Sequence, residues 1–283
     1  MVIALSRLRT YASFVKIEHT VFSLPLIFAG TLLSTRGSFA PSLGLLILLA
    51  AIGARAMGMG LNRLIDAEID ARNPRTRRRE LPSGAMGRGE AWTLTLLSGV
   101  LYLASAAALG PVCLTWSPVP VALFVMYPYL KRFTSLAHVG LGIAWSMGPL
   151  AGWLAASRDA SGFGEVGWLW AFALLWVSGF DVIYATMDEA FDRQEKLYSL
   201  PARIGKRGAL RVAAFLHVMA CLCLVLLWKS QLHTPASLAW LAAAGLVLVW
   251  EHAVAGKSPE FAFFKLNAAI GFLVFAMVLS GIH

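Results

Sequence analysis

Nine apolar runs of roughly 18 to 23 residues, each near the ~20 that a helix needs to cross a bilayer, leave this chain few folds to adopt. They begin near Ile17, Pro41, Ala91, Val112, Leu136, Gly167, Ala209, Pro235 and Phe261. In lipid every backbone N–H and C=O must find its partner inside the protein, so runs of this length form helices. Composition points the same way: of 283 residues, 58% are apolar and 14% charged, too apolar for a soluble domain. The expectation is an all-α integral membrane protein with nine transmembrane helices, organised as one membrane domain over residues 1–283. The first run follows Arg7, Arg9 and Lys16 as a signal peptide does, but no small-residue cleavage site follows it, so it reads as a retained helix.

A net charge of +9 invites a nucleic-acid reading, which the distribution of that charge argues against. With the N-terminus cytoplasmic, alternate loops collect 19 of the 24 Lys and Arg residues. The opposite loops hold Arg36, Arg158 and Lys229, and Arg55 and Lys265 remain inside spans. This asymmetry is the positive-inside pattern of a membrane protein. Cys113, Cys221 and Cys223 fall in spans at spacings that make neither a disulfide framework nor a zinc site.

Two acidic faces stand at cytoplasmic exits. In Asn62–Asp70, Asn62, Asp66 and Asp70 are spaced four apart and share one helix face over about 12 Å. Like charges at that spacing weaken an isolated helix, which a cation would compensate. In DVIYATMDEAFD, Asp181, Tyr184, Asp188 and Asp192 recur at offsets of three, seven and eleven, and the second pair repeats the spacing of the first. Four spans separate these units, a pattern suggesting internal duplication. Both motifs run into basic loops, the first carrying Arg72, Arg75, Arg77, Arg78, Arg79 and Arg88. Arg55 lies seven residues before Asn62, two turns deeper on the same face, where an intramembrane arginine needs a polar cavity or a partner. MYPYLKRFT brings Tyr127, Lys131 and Arg132 to a third cytoplasmic exit, as interface anchors or as part of a shared anion site. Glu18 and His19 mark the inner end of the first span, and the glycines of the fifth, from Gly140 to Gly152, favour close helix packing. Trp168, Trp170 and Trp176 read as belt and packing residues, and His217, His233, His252 and Lys265 as scaffold.

Carboxylate pairs beside arginine forks supply both halves of a metal-diphosphate site, because Mg²⁺ is held by one or two carboxylates plus phosphate oxygens and water. An amphiphile with a diphosphate head at the rim and an isoprenoid tail among the helices suits this arrangement. Metal and basic groups would stabilise the leaving diphosphate, a dry cavity would protect an allylic carbocation, and the face of Tyr184 would attract it. Arg55 or Arg132 would orient a carboxylate on an attacking aromatic ring, and Asp181 would either pair with Arg55 or accept the phenolic proton. Intramembrane Asp and Arg also suit a secondary transporter, whose site lies near the midplane rather than at one rim.

NRLIDAEID with RELPSG, YPYLK with Arg132, DVIYATMDEAFD with SLPARIG, and the opening IEHTVFSLPLIFAG together resemble the UbiA superfamily of intramembrane prenyltransferases, in particular its 4-hydroxybenzoate polyprenyltransferase branch. The resemblance implies nine helices around a central cavity open to lipid, in a bacterial-type inner (cytoplasmic) membrane, with the active site on the cytoplasmic side. It implies transfer of a polyprenyl group from polyprenyl diphosphate to an aromatic acid acceptor, 4-hydroxybenzoate or a dihydroxynaphthoate, in quinone biosynthesis. Carried over, Asn62, Asp66, Asp70, Asp188 and Asp192 would hold Mg²⁺, Arg75, Arg79, Lys131 and Tyr127 would contact diphosphate, and Arg55 would meet the acceptor carboxylate. Arg63 stands where many relatives carry Asp.

Overall fold

The structure, a computed structural model, describes the backbone of residues 2–17 and 20–282 and the side chains of residues 7–17 and 23–282. Glu18 and His19 lie outside the described residues. The helices are α1 (Val2–Val15), α2 (Thr20–Thr35), α3 (Pro41–Ile65), α4 (Ala67–Arg72), α5 (Arg88–Leu109), α6 (Pro111–Trp116) and α7 (Pro118–Leu130). There follow α8 (Ala137–Ser157), α9 (Phe163–Ala185), α10 (Glu189–Gln194), α11 (Leu200–Leu227), α12 (Pro235–Ala255), α13 (Pro259–Phe261) and α14 (Asn267–Gly281). Among the described residues eight helical segments are long and apolar enough to span a membrane. The apolar stretch Ser23–Thr35 of α2 makes a shorter ninth, so the nine-run expectation is a close approximation.

Local chemistry sets where these helices start and bend. Proline stands in the first turn of α3, α6, α7 and α12, where its missing N–H costs no hydrogen bond. Gly110, at φ 129°, breaks the fourth span from α5 with a backbone angle that side-chain-bearing residues rarely adopt. Gly205, at φ 73° and ψ 161°, interrupts α11 and separates its short inner segment from the long apolar one. Pro25 is accommodated inside α2. The N-terminal segment lies on the first basic loop: Phe14 is buried with Met86 and Ala91, and Ser13 Oγ donates to Glu80 at 2.5 Å.

The spans pack as two groups that meet where α2 lies against α8. α3 packs on α5 and α7, α7 on α8, α8 on α9 and α2, α9 on α11, α12 on α14, and α14 on α2. The main core runs through Leu26, Trp153, Phe172, Trp176, Leu224, Ile270 and Met277. Lipid solvates apolar side chains as well as the interior does, so helices here associate through close backbone approach. α2 and α8 meet at Gly30 and Gly152: a Cβ on Gly152 would sit 2.0 Å from the Ile27 carbonyl oxygen, and one on Gly30 2.1 Å from that of Pro149. Thr31 Oγ1 donates to the Gly152 carbonyl across the same contact, at 3.1 Å. Gly152→Ala is therefore expected to force the two helices apart and destabilise the protein by about 1–3 kcal/mol, measured as a lower unfolding midpoint in detergent.

Candidate active site

The helix that the four-residue spacing suggests for the first motif is broken at its centre. α3 ends at Ile65, and Asp66 takes φ −94° and ψ 3°, the bridge region between helix and strand, before α4 resumes. The backbone bonds Asp66 N–H to Asn62 O (3.0 Å) and Asp70 N–H to Asp66 O (2.8 Å) continue through the break. The second motif repeats this device. α9 ends at Ala185, a 3₁₀ turn covers Thr186–Asp188, and Asp188 takes φ −104° and ψ 6° before the six-residue α10. Each motif thus presents its first metal-candidate carboxylate from a kink at the end of a long span. This matched geometry supports the duplication that the spacing suggests.

The two motifs face one cavity of about 610 Å³, lined by Asn62, Asp66, Asp70, Arg75, Arg79, Tyr127, Lys131, Asp181, Tyr184, Asp188 and Asp192, with Arg55 at its deep end. Basic side chains meet each of three carboxylates. Lys131 Nζ donates to Asp66 Oδ2 at 2.7 Å, and Asn62 Nδ2 to the same oxygen at 3.2 Å. Arg79 Nη1 spans both oxygens of Asp70 at 2.7 and 3.0 Å. Arg75 grips Asp188 through Nε, at 2.9 Å, and through Nη2, while Nη1 donates to the Tyr184 hydroxyl at 2.6 Å. Burial pushes the Asp66 carboxyl above the ordinary carboxylate value, against the pull of Lys131 and Arg132.

An apolar chamber of about 400 Å³ adjoins the polar one, reaching between α3, α5, α7 and α8. Arg55, Tyr127, Leu141 and Trp145 line both chambers and form their common wall. The Arg55 guanidinium lies over the Trp145 ring, 4.7 Å from its centroid, a cation–π contact at the junction.

Three of the expected site residues have partners that the spacing does not show. Asp181 pairs with His138, whose Nδ1 lies 2.6 Å from Asp181 Oδ2, and the pairing expected with Arg55 is replaced by this one. Arg132 donates to the Ile65 carbonyl at 2.8 Å, lies 3.6 Å from Asp66 and stacks on Tyr129. These contacts place it at the α3 break. The Tyr184 ring lies 4.8 Å from the Arg75 guanidinium and 4.2 Å from Phe263, in the wall of the polar chamber.

Several functional neighbours were not legible beforehand. Asn73 Nδ2 donates to Asp188 Oδ1 at 2.8 Å, tying the first loop to the second motif. Arg63 is buried against Glu80 at 3.3 Å in the wall of the polar cavity, and as a cation it offers no metal ligand. Trp176 is more than a packing residue: it lines the polar cavity and donates from Nε1 to Asn267 Oδ1 at 2.7 Å. His138 and Asn73 carry no motif, and only a three-dimensional neighbour identifies them.

The donor set suits a hard divalent cation. Asn62, Asp66, Asp70, Asp188 and Asp192 offer oxygen alone, and Asp66 Oδ1 is buried without a hydrogen-bond partner. Among the described residues no three His, Cys, Asp or Glu side chains converge to hold a metal by themselves. A cation here would draw one or two ligands from each motif and the rest from phosphate and water, the coordination Mg²⁺ prefers.

Comparison with known proteins follows the same outline. The UbiA prenyltransferase family model matches residues 23–270. The chain is 32% identical over 253 residues to the 4-hydroxybenzoate octaprenyltransferase of Sodalis glossinidius, covering 86% of this chain and 84% of that protein. It is 30% identical over 218 residues to the enzyme of that name from Shewanella denitrificans, covering 75% and 72% respectively. Among solved structures, the apo structure of a UbiA homolog from Aeropyrum pernix K1 is 37% identical and superposes with a TM-score of 0.85 over 93% of this chain and 97% of that one. A UbiA homolog from Archaeoglobus fulgidus bound to GPP and Mg²⁺ shares the fold at 16% identity, with a TM-score of 0.70 over 96% of this chain and 99% of that one.

Proposed function

Because this chain belongs to the UbiA prenyltransferase family, we propose that it transfers a polyprenyl group from its diphosphate to 4-hydroxybenzoate or a related aromatic acid, with Mg²⁺, on the cytoplasmic side of a bacterial inner membrane. The observation that carries this reading is the junction of two unlike chambers. A polar one holds two facing carboxylate and arginine clusters, an apolar one of about 400 Å³ has the lining that isoprenoid carbon needs, and Arg55, Tyr127 and Trp145 stand between them. The carboxylates sit at the inner ends of α3 and α9, a rim placement that favours an enzyme over a transporter.

In this reading the diphosphate enters the polar chamber and exchanges partners with the basic side chains. Arg75, Arg79 and Lys131 each carry hydrogen bonds to carboxylates that they can share with phosphate oxygens without crossing the cavity. Tyr127 lines both chambers and marks where the scissile C–O bond would lie. Asn62, Asp66 and Asp70 on one side and Asp188 and Asp192 on the other would hold Mg²⁺, which when bound neutralises charge on the leaving diphosphate. The tail in the apolar chamber excludes water from the reacting carbon. Arg55, in cation–π contact with Trp145, meets the acceptor carboxylate and presents the phenol end toward Asp181. Asp181 takes the phenolic proton, the ring carbon beside the hydroxyl forms the new C–C bond as the C–O bond breaks, and loss of the ring proton restores aromaticity.

The test is a transfer assay in detergent with labelled polyprenyl diphosphate and Mg²⁺, supplying 4-hydroxybenzoate in one arm and 1,4-dihydroxy-6-naphthoate in the other. Product from 4-hydroxybenzoate that disappears with EDTA is the expected result. Product from the naphthoate alone would move the enzyme to the other quinone pathway, and none from either would overturn the aromatic acceptor.

A further inference from the structure

His138 sits on the first turn of α8, nearly buried, and its two ring nitrogens face different kinds of partner. Nε2 lies 3.3 Å from the backbone nitrogen of Leu200, the first residue of α11. A backbone N–H can only donate, so Nε2 is an acceptor and carries no proton. The ring proton is then on Nδ1, 2.6 Å from Asp181 Oδ2, and His138 donates it to the carboxylate. The contact to α11 therefore selects the tautomer that the contact to α9 needs. One oxygen of Asp181 is committed to His138, while the side chain as a whole remains 23% exposed and lines the polar chamber.

We infer that His138 is a positioning residue: it aims the free oxygen of Asp181 at the acceptor as the proton-accepting atom. This rests on the aromatic-acceptor reading above. His138 itself stays out of the proton transfer, because a proton on Nε2 would remove the acceptor that Leu200 N–H requires. The proton leaves the phenol oxygen for Asp181 as the ring carbon bonds the allylic carbon. The C–O electron pair departs with diphosphate, the ring proton is released to water or diphosphate, and Asp181 returns its proton to the phenol oxygen. The same geometry makes the loop after the second motif part of the device, since Ser199 caps α11 by accepting from Ala202 N–H at 3.3 Å and so places Leu200.

The test compares His138→Ala with His138→Asn, whose amide nitrogen stands where Nδ1 does and can still donate to Asp181. His138→Ala is expected to lower kcat for transfer about 10- to 100-fold with the KM for the diphosphate within twofold of wild type. Release of diphosphate in the absence of acceptor, which needs no phenolic proton transfer, is expected to stay at the wild-type rate. His138→Asn is expected to recover kcat to within about threefold. In an Asp181→Asn background, His138→Ala is expected to cost nothing more, because both variants remove one function. Should the alanine variant fail to fold, His138→Gln, whose amide reaches the Nε2 position instead, takes its place in every comparison. Wild-type kcat in His138→Ala, an asparagine variant no better than alanine, or additive losses in the double variant would each overturn the inference. A wild-type enzyme that releases diphosphate but prenylates no aromatic acid would instead overturn the acceptor reading on which it rests.

Discussion

Asp66→Asn and Asp188→Asn are each expected to lower prenyl transfer by at least about a thousandfold, with folding intact. Asparagine keeps the shape and one accepting oxygen, so Lys131 retains a partner at Asp66 and Arg75 at Asp188. What it removes is the anionic oxygen that a divalent cation requires. The two positions are equivalent in geometry, each a bridge-region kink between a long span and a six-residue helix, so the two losses should match within about tenfold. Turnover at saturating Mg²⁺, with a melting curve for each variant, checks this. Activity within tenfold of wild type in either variant would show that its motif does not hold the metal.

Arg55→Ala is expected to raise the acceptor KM about 30- to 100-fold while the diphosphate KM stays within twofold, the cost of one charge-assisted contact of about 2–3 kcal/mol. Arg55 is the arginine on the wall common to both chambers, and its guanidinium lies over Trp145. Arg55→Lys should recover only part of the loss, because an ammonium neither forks onto a carboxylate nor stacks on the indole in the same way. Arg132→Ala provides the contrast: it frees the Ile65 carbonyl at the α3 break and lowers stability, leaving the acceptor KM unchanged. A raised acceptor KM in Arg132→Ala with none in Arg55→Ala would reverse the two roles.

Much of this site could be read from spacing, because its chemistry is concentrated on helix ends. Asn62, Asp66 and Asp70, and Asp188 and Asp192, lie where offsets of four place them, and the basic loops follow each motif directly. The breaks at Asp66 and Asp188 escaped the periodicity. At Asp66 the kink preserves the i to i+4 backbone bonds and so leaves the spacing of polar residues unchanged, and at Asp188 the break is a 3₁₀ turn of only three residues. Partner choice was the other gap. Asp181 and Arg55 lie at matching offsets before their motifs, which suggests a pair, yet Asp181 meets His138 from α8 and Arg55 meets Trp145.

The sequence by itself determined that the chain spans the membrane about nine times and which carboxylates and arginines stand at the ends of its spans. Length, hydropathy and loop charge act locally along the chain, so they can be read in one dimension. Only the tertiary structure decided that the two motifs face a single cavity, that Arg132 meets the Ile65 carbonyl while Arg55 lines the junction of two chambers, and that His138 pairs with Asp181. Those outcomes depend on which helix packs beside which and at what rotation. In lipid that is governed by close backbone approach at residues such as Gly30 and Gly152, not by any periodic signal in the side chains around the site.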